Sequence, residues 1–123
     1  MTKTILVVDD DYLSRELLQA HLENVGYHVR LANNGEKALA IAVTEQPDLI
    51  LMDVNMPGLT GYSTCALLKE SPQTAPIPIL LMTAMDDDEN IREAKRAGAD
   101  GFVAKPLDVH GMLIQIEALT ERS

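Results

Sequence analysis

Short uninterrupted apolar runs punctuate the chain, and between them apolar positions return every three or four residues. Ile5-Leu6-Val7-Val8 and Leu49-Ile50-Leu51-Met52 are the pattern of strands covered on both faces of a sheet. After the first run Leu13, Leu17, Leu18, Leu22 and Val25 recur at helical spacing, and Gly26 stands where a helix C-terminal cap belongs. Residues 27–32 read as a second strand, less apolar and therefore nearer an edge. Asn34-Gly35 leads into a second helix carrying Ala38, Leu39, Ile41, Ala42 and Val43, which Pro47 ends. A loop over 54–60, with Pro57 and Gly58, precedes a third helix that holds Cys65, Leu67 and Leu68 and stops at Ser71-Pro72. Residues 77–82 read as a fourth strand whose start tolerates Pro78. A fourth helix over about 86–97 is closed by Gly98, 101–104 is a short fifth strand, and 107–119 is a last amphipathic helix.

Five strand–helix units in succession force parallel pairing, because each crossover returns the chain to the same end of the sheet. The expected fold is an α/β doubly wound sandwich with helices on both faces. Ligands of such sheets bind beyond the carboxyl ends of the strands. Polar residues stand directly at those ends: Asp9-Asp10-Asp11 after the first strand, Asp53 after the third, Thr83 after the fourth, and Lys105-Pro106 after the fifth. Taken singly each has a plainer explanation. Asp11 suits a helix N-cap, Thr83 a capping hydroxyl, and Lys105 a solvated lysine. Together they converge on one pocket, where packed carboxylates repel unless a cation intervenes. Oxygen ligands of this kind suit a hard divalent ion such as Mg²⁺. A metal, an ammonium and a hydroxyl around a carboxylate nucleophile form an arrangement that stabilises a phosphoryl group.

Composition changes that picture mainly by exclusion. A length of 123 residues has room for one domain, 1–123, and 46% apolar with 24% charged residues is ordinary for a globular one. A formal charge of −9 argues against direct nucleic-acid or anionic-membrane binding, which needs a basic patch. One cysteine cannot form an internal disulfide and suits a reducing compartment. The start has no signal-peptide core and the chain no transmembrane stretch, so a cytoplasmic location is expected. Asp86-Asp87-Asp88-Glu89 complements the dipole at the start of the fourth helix, and Arg92, Lys95 and Arg96 form a basic cluster further along it. Cys65 reads as a core residue, and His21, His28 and His110 show no metal-ligand spacing.

Ile5-Leu6-Val7-Val8-Asp9-Asp10-Asp11, Leu49-Ile50-Leu51-Met52-Asp53-Val54-Asn55-Met56-Pro57-Gly58, Leu81-Met82-Thr83-Ala84, Gly98-Ala99-Asp100-Gly101-Phe102 and Lys105-Pro106 together resemble the receiver domain of two-component response regulators. The similarity spans essentially the whole chain, in order and at the family's spacing. It implies a five-stranded parallel sheet in the order 2-1-3-4-5. It also implies that Asp53 accepts a phosphoryl group from the phosphohistidine of a histidine kinase or a histidine phosphotransfer protein. Asp10 and Asp53 would bind Mg²⁺ (or Mn²⁺) with the backbone carbonyl of Asn55, and Asp9 would help through water. Lys105 would pair with Asp53 and then with the phosphoryl oxygens, and Thr83 would donate its hydroxyl in the active state. Phe102 stands at the family's switch aromatic, Asn55 and Met85 at two positions that tune phosphoryl lifetime, and Pro106 at a bond that is typically cis. The implied role is regulatory: the domain catalyses its own phosphorylation and slow dephosphorylation. The face of the fourth helix, fifth strand and fifth helix would then meet an output domain, a target protein or a second copy in a phosphorylation-dependent homodimer.

Three other classes fit less well. Haloacid-dehalogenase-like phosphatases place Asp-x-Asp after the first strand, whereas Val54-Asn55 follows the acceptor here. A flavodoxin-like carrier needs a phosphate loop rich in Gly, Ser and Thr where this chain has three acids. A phosphate-independent pseudo-receiver would not need the full set of site residues.

Overall fold

The computed structural model describes residues 2–84 and 88–121. Strands β1 (Thr4–Val8), β2 (His28–Ala32), β3 (Leu49–Asp53), β4 (Ile79–Thr83) and β5 (Gly101–Ala104) alternate with helices α1 (Tyr12–Asn24), α2 (Gly35–Glu45), α3 (Gly61–Glu70), α4 (Asp88–Ala97) and α5 (Val109–Thr120). The strands pair in parallel in the order β2-β1-β3-β4-β5, so the least apolar strand does lie at an edge. Side-chain alternation divides the core in two. Ile5, Val7, Leu49, Leu51, Leu80, Met82 and Val103 pack against α1 and α5 through Leu18, Leu22, Met112, Ile116 and Leu119. Leu6, Val8, Ile50, Met52, Ile79 and Leu81 face α2, α3 and α4 through Ala38, Ala42, Cys65, Leu68, Ala94 and Ala97.

Two element boundaries fall inside the runs that the apolar pattern predicts. The fourth strand begins at Ile79 rather than at 77, because Ile77 closes a turn onto the Thr74 carbonyl and Pro78 has no N–H for the ladder. The Ile79 N–H is taken by the Asp100 carboxylate at 2.8 Å. The last helix begins at Val109 rather than 107, with Asp108 in extended backbone at the N-cap position and no side-chain capping bond from it. Asp86 and Asp87 lie outside the described residues, while Asp88 and Glu89 occupy the first turn of α4. Cys65 is fully buried, and burial pushes its thiol up to about 11.

The apolar spacing in α1 does not correspond to one buried face. Leu18 and Leu22 are buried, but Leu13 is 63% exposed and Leu17 55% exposed, with Val25 also turned outward. Adjacent residues stand about 100° apart round a helix, so Leu17 and Leu18 share a stripe on paper but not a surface. Leu51→Ala should therefore cost about 2–5 kcal/mol in urea unfolding, and Leu13→Ala no more than about 0.5 kcal/mol.

Candidate functional site

β1 and β3 lie side by side in the middle of the sheet, so the residues that follow them share one end of it. Asp9 leaves β1 with its N–H on the Ala32 carbonyl at 3.1 Å, which ties it to the end of β2. Its Oδ1 accepts the Asp11 N–H at 2.9 Å. Asp11 caps α1, its Oδ2 accepting from the Ser14 N–H at 3.1 Å and the Ser14 hydroxyl at 2.8 Å, and those bonds lower its pKa. This aspartate therefore serves the helix, as its position suggested.

Asp53 closes β3 with its side chain almost wholly buried. Its Oδ2 lies 3.0 Å from Lys105 Nζ, and its Oδ1 accepts the Asn55 N–H at 3.2 Å. The Lys105–Pro106 peptide is cis. Lys105 is also fixed at its backbone, where its N–H donates to the Thr83 carbonyl at 2.7 Å. Thr83 itself is buried at the end of β4. Phe102 on β5 is partly buried against the α2–α4 side of the core. Met85 lies outside the described residues.

Asp9, Asp10 and Asp53 each present a carboxylate oxygen, and these atoms all lie within 4.8 Å of one another. Asp9 is 1% exposed, and its Oδ2 is buried with no hydrogen-bond partner among the described residues. An orphaned buried acceptor is costly, and a three-oxygen donor set is what a hard divalent cation takes. These residues fit such an ion. Without one, burial raises the pKa of Asp9, the charges of Asp53 and Asp10 push the same way, and the Asp11 N–H and Lys105 oppose them.

Two contributors were not singled out from the sequence. Gly61 starts α3 under the site, where a Cβ would stand 2.4 Å from the Asp53 carbonyl oxygen, so only glycine lets the helix approach the acceptor strand. Its N–H donates to the Val54 carbonyl at 2.9 Å, closing the 54–60 loop. Arg15 Nη1 donates to the Asp9 carbonyl oxygen at 2.8 Å. Only the Gly61 contact has a sequence signal, since a glycine opening a helix after a long loop often marks close approach.

The raised Asp9 carboxyl has a signed consequence. Its contribution to stability is full below the unfolded-state value of 3.8 and is lost as pH rises through the higher folded-state value. Asparagine keeps the acceptor for the Asp11 N–H but cannot ionise. In chelator, Asp9→Asn should therefore unfold at a higher temperature than wild type at neutral pH, and the gap should close below pH 3.8. An unchanged gap across that range would contradict it.

The family described as response regulator receiver domain matches residues 5–117. RpaA, a DNA-binding dual master transcriptional regulator of Synechocystis sp., is 39% identical over 119 residues, which cover 97% of this chain. The chain spans 49% of RpaA, about half of that relative's length. The structure of Vibrio cholerae chemotaxis protein CheY4 superposes with a TM-score of 0.91 at 32% identity, covering 97% of this chain and 99% of that one. The receiver domain of the Pseudomonas aeruginosa sensor histidine kinase PA1611, solved with magnesium in its active-site cleft, gives a TM-score of 0.91 at 26% identity, covering 98% and 99% of the two chains. Fold, acidic cluster and sequence agree, and the chain belongs to the response regulator receiver domain family.

Proposed function

We propose that Asp53 accepts a phosphoryl group from the phosphohistidine of a histidine kinase or a histidine phosphotransfer protein, and that this controls an output domain or target protein. The observation that carries the proposal is the buried Asp53 carboxylate, ion-paired to Lys105 at 3.0 Å and sharing one cation-sized space with Asp9 and Asp10. A carboxylate oxygen of Asp53 attacks phosphorus in line. The P–O bond forms as the P–N bond breaks, and the electron pair stays on the donor imidazole. Mg²⁺ (or Mn²⁺), held by Asp10, Asp53 and the Asn55 backbone carbonyl with Asp9 acting through water, would supply positive charge to the phosphoryl oxygens. The Mg²⁺-bearing relative supports the choice of that ion.

Lys105 shifts its ammonium from Asp53 to the phosphoryl oxygens, and Thr83 donates its hydroxyl to them. Because the Lys105 N–H is bonded to the Thr83 carbonyl, the two respond as a unit. Phe102 lies half-buried on the edge strand β5 and has no hydroxyl to offer a partner, so its part in switching is a change of ring position. The α4–β5–α5 face would thereby change its preference for a partner or a second copy. Asn55 orients the water that ends the phosphorylated state, and the apolar bulk of Met85 hinders it. The role is regulatory and cytoplasmic, and no helix of the described residues is long and apolar enough to cross a membrane.

The phosphodonor must reach Asp53 from the solvent side. Beside the acceptor lies a cleft of about 270 Å³ with Asp9 and Lys105 in its wall and Leu17, Leu18, Pro106, Leu107 and Val109 as its apolar lining. With the exposed Leu17 in its wall, this is the surface a donor protein would cover while presenting its imidazole.

Incubation with a phosphohistidine donor and Mg²⁺, followed by intact mass, should show one phosphoryl group on the wild type and none on Asp53→Asn. Chelation should abolish the wild-type uptake. Uptake by Asp53→Asn at wild-type stoichiometry would overturn the assignment.

A further inference from the structure

We infer that Arg15 is a positioning residue for the cation site, fixing the peptide plane between Asp9 and Asp10, a role that rests on the assignment of those acids as Mg²⁺ ligands. Arg15 lies one turn into α1, where its N–H donates to the Asp11 carbonyl at 3.1 Å. Its side chain runs back along the helix. Nη1 meets the Asp9 carbonyl oxygen at 2.8 Å, and the guanidinium carbon stands 5.7 Å from the centre of the Tyr12 ring. A planar guanidinium braced on an aromatic face holds its donors in a fixed direction.

The peptide unit is rigid, so the Asp9 carbonyl, the Asp10 nitrogen and the Asp10 Cα move as one plane. Asp9 is anchored independently, through its N–H on Ala32 and its Oδ1 on the Asp11 N–H. What remains free is the rotation of the next plane, and the bond from Arg15 removes it. Asp10 is otherwise exposed, with no hydrogen-bond donor on its carboxylate among the described residues. Of the three acids it is the one that repulsion from Asp9 and Asp53 can swing outward. The tether keeps its Cα in place against that repulsion.

Two effects of Arg15 on a bound divalent cation oppose each other. Its positive charge repels the ion, and its tether preassembles the ligands. Their signs differ, so substitution separates them. Lys37 supplies the charge control: it lines the same shallow cleft beside the end of β2 as Arg15, with Leu31, Ala32 and Asn33, and does not hold the Asp9 carbonyl.

Mg²⁺ titrations followed by backbone amide shifts should compare wild type, Arg15→Ala, Arg15→Lys and Lys37→Ala. Groups that orient metal ligands typically contribute on the order of 10-fold or more to affinity. Arg15→Ala is expected to weaken Mg²⁺ binding about 10-fold even though it removes a repelling charge. Arg15→Lys should weaken it by a smaller factor at constant charge, and Lys37→Ala should bind no more weakly than wild type. Wild-type or tighter affinity in Arg15→Ala, or wild-type affinity in Arg15→Lys, overturns the inference. Should Arg15→Ala fail to fold, Arg15→Lys decides alone by the same criterion. A wild-type protein without any Mg²⁺ response refutes the metal assignment itself and this role with it, whereas a responding wild type with unaffected Arg15 variants refutes only the role of Arg15.

Discussion

Repulsion among three carboxylates within 4.8 Å of one another is the constraint around which the rest of the chain is arranged. Such groups relax if they can, by moving apart or by taking up a proton. Here Asp9 and Asp53 are buried and have little room to move apart, and burial and the repulsion together raise the pKa of Asp9 instead. Asp53 terminates a strand whose five residues are all buried, and Asp9 follows a strand with four buried residues of five. One ammonium, that of Lys105, partly offsets the charge from a third strand end. Asp9 Oδ2 has no hydrogen-bond partner among the described residues, so the donor set favours a further positive charge. A sheet of parallel strands is well suited to storing that imbalance, since packing on both faces fixes where every strand stops.

The same strand ends offer a route from the site to the surface. Lys105 and Thr83 are joined through their backbones at the β4–β5 boundary, and β5 is the edge strand beside α4 and α5. On the proposed function, a phosphoryl group drawing both toward itself would act on the border of the sheet, where fewer contacts resist movement than in its centre. α4 has an exposed polar face with Arg92–Glu89 and Arg96–Glu93 pairs, while Tyr62 on α3 donates to Asn90 at 2.8 Å. Both of these ion pairs lie within the helix, and its buried side chains among the described residues are the small Ala94 and Ala97. That is the composition of an element able to shift without breaking the core.

The strand runs and the polar residues after them were legible because they obey one-dimensional rules. Apolar continuity marks a covered strand, and βα alternation dictates which ends converge. Asp11 was legible as a cap for the same reason. The misread features depend on contacts that a linear pattern does not contain. Leu13 and Leu17 look like core by spacing, yet the sheet reaches only the stripe of Leu18 and Leu22. Ile77 looks like strand, yet Asp100, distant in sequence, takes the first ladder position. Arg15 carries no signal in the linear pattern at all, since its tie to the Asp9 carbonyl depends on how the chain turns from β1 into α1. Local chemistry was readable, whereas long-range polar contacts and the limits of each buried face were not.

The folded protein carries a preassembled acidic site that fits a divalent cation. Thermal unfolding at neutral pH across a Mg²⁺ titration tests that fit most directly, because an ion bound only by the folded state raises stability with the logarithm of its concentration above Kd. The unfolding temperature should climb steadily with Mg²⁺ while matched additions of Na⁺ leave it nearly unchanged. An unfolding temperature that does not respond to Mg²⁺, or responds no more than to Na⁺ of equal ionic strength, would contradict it.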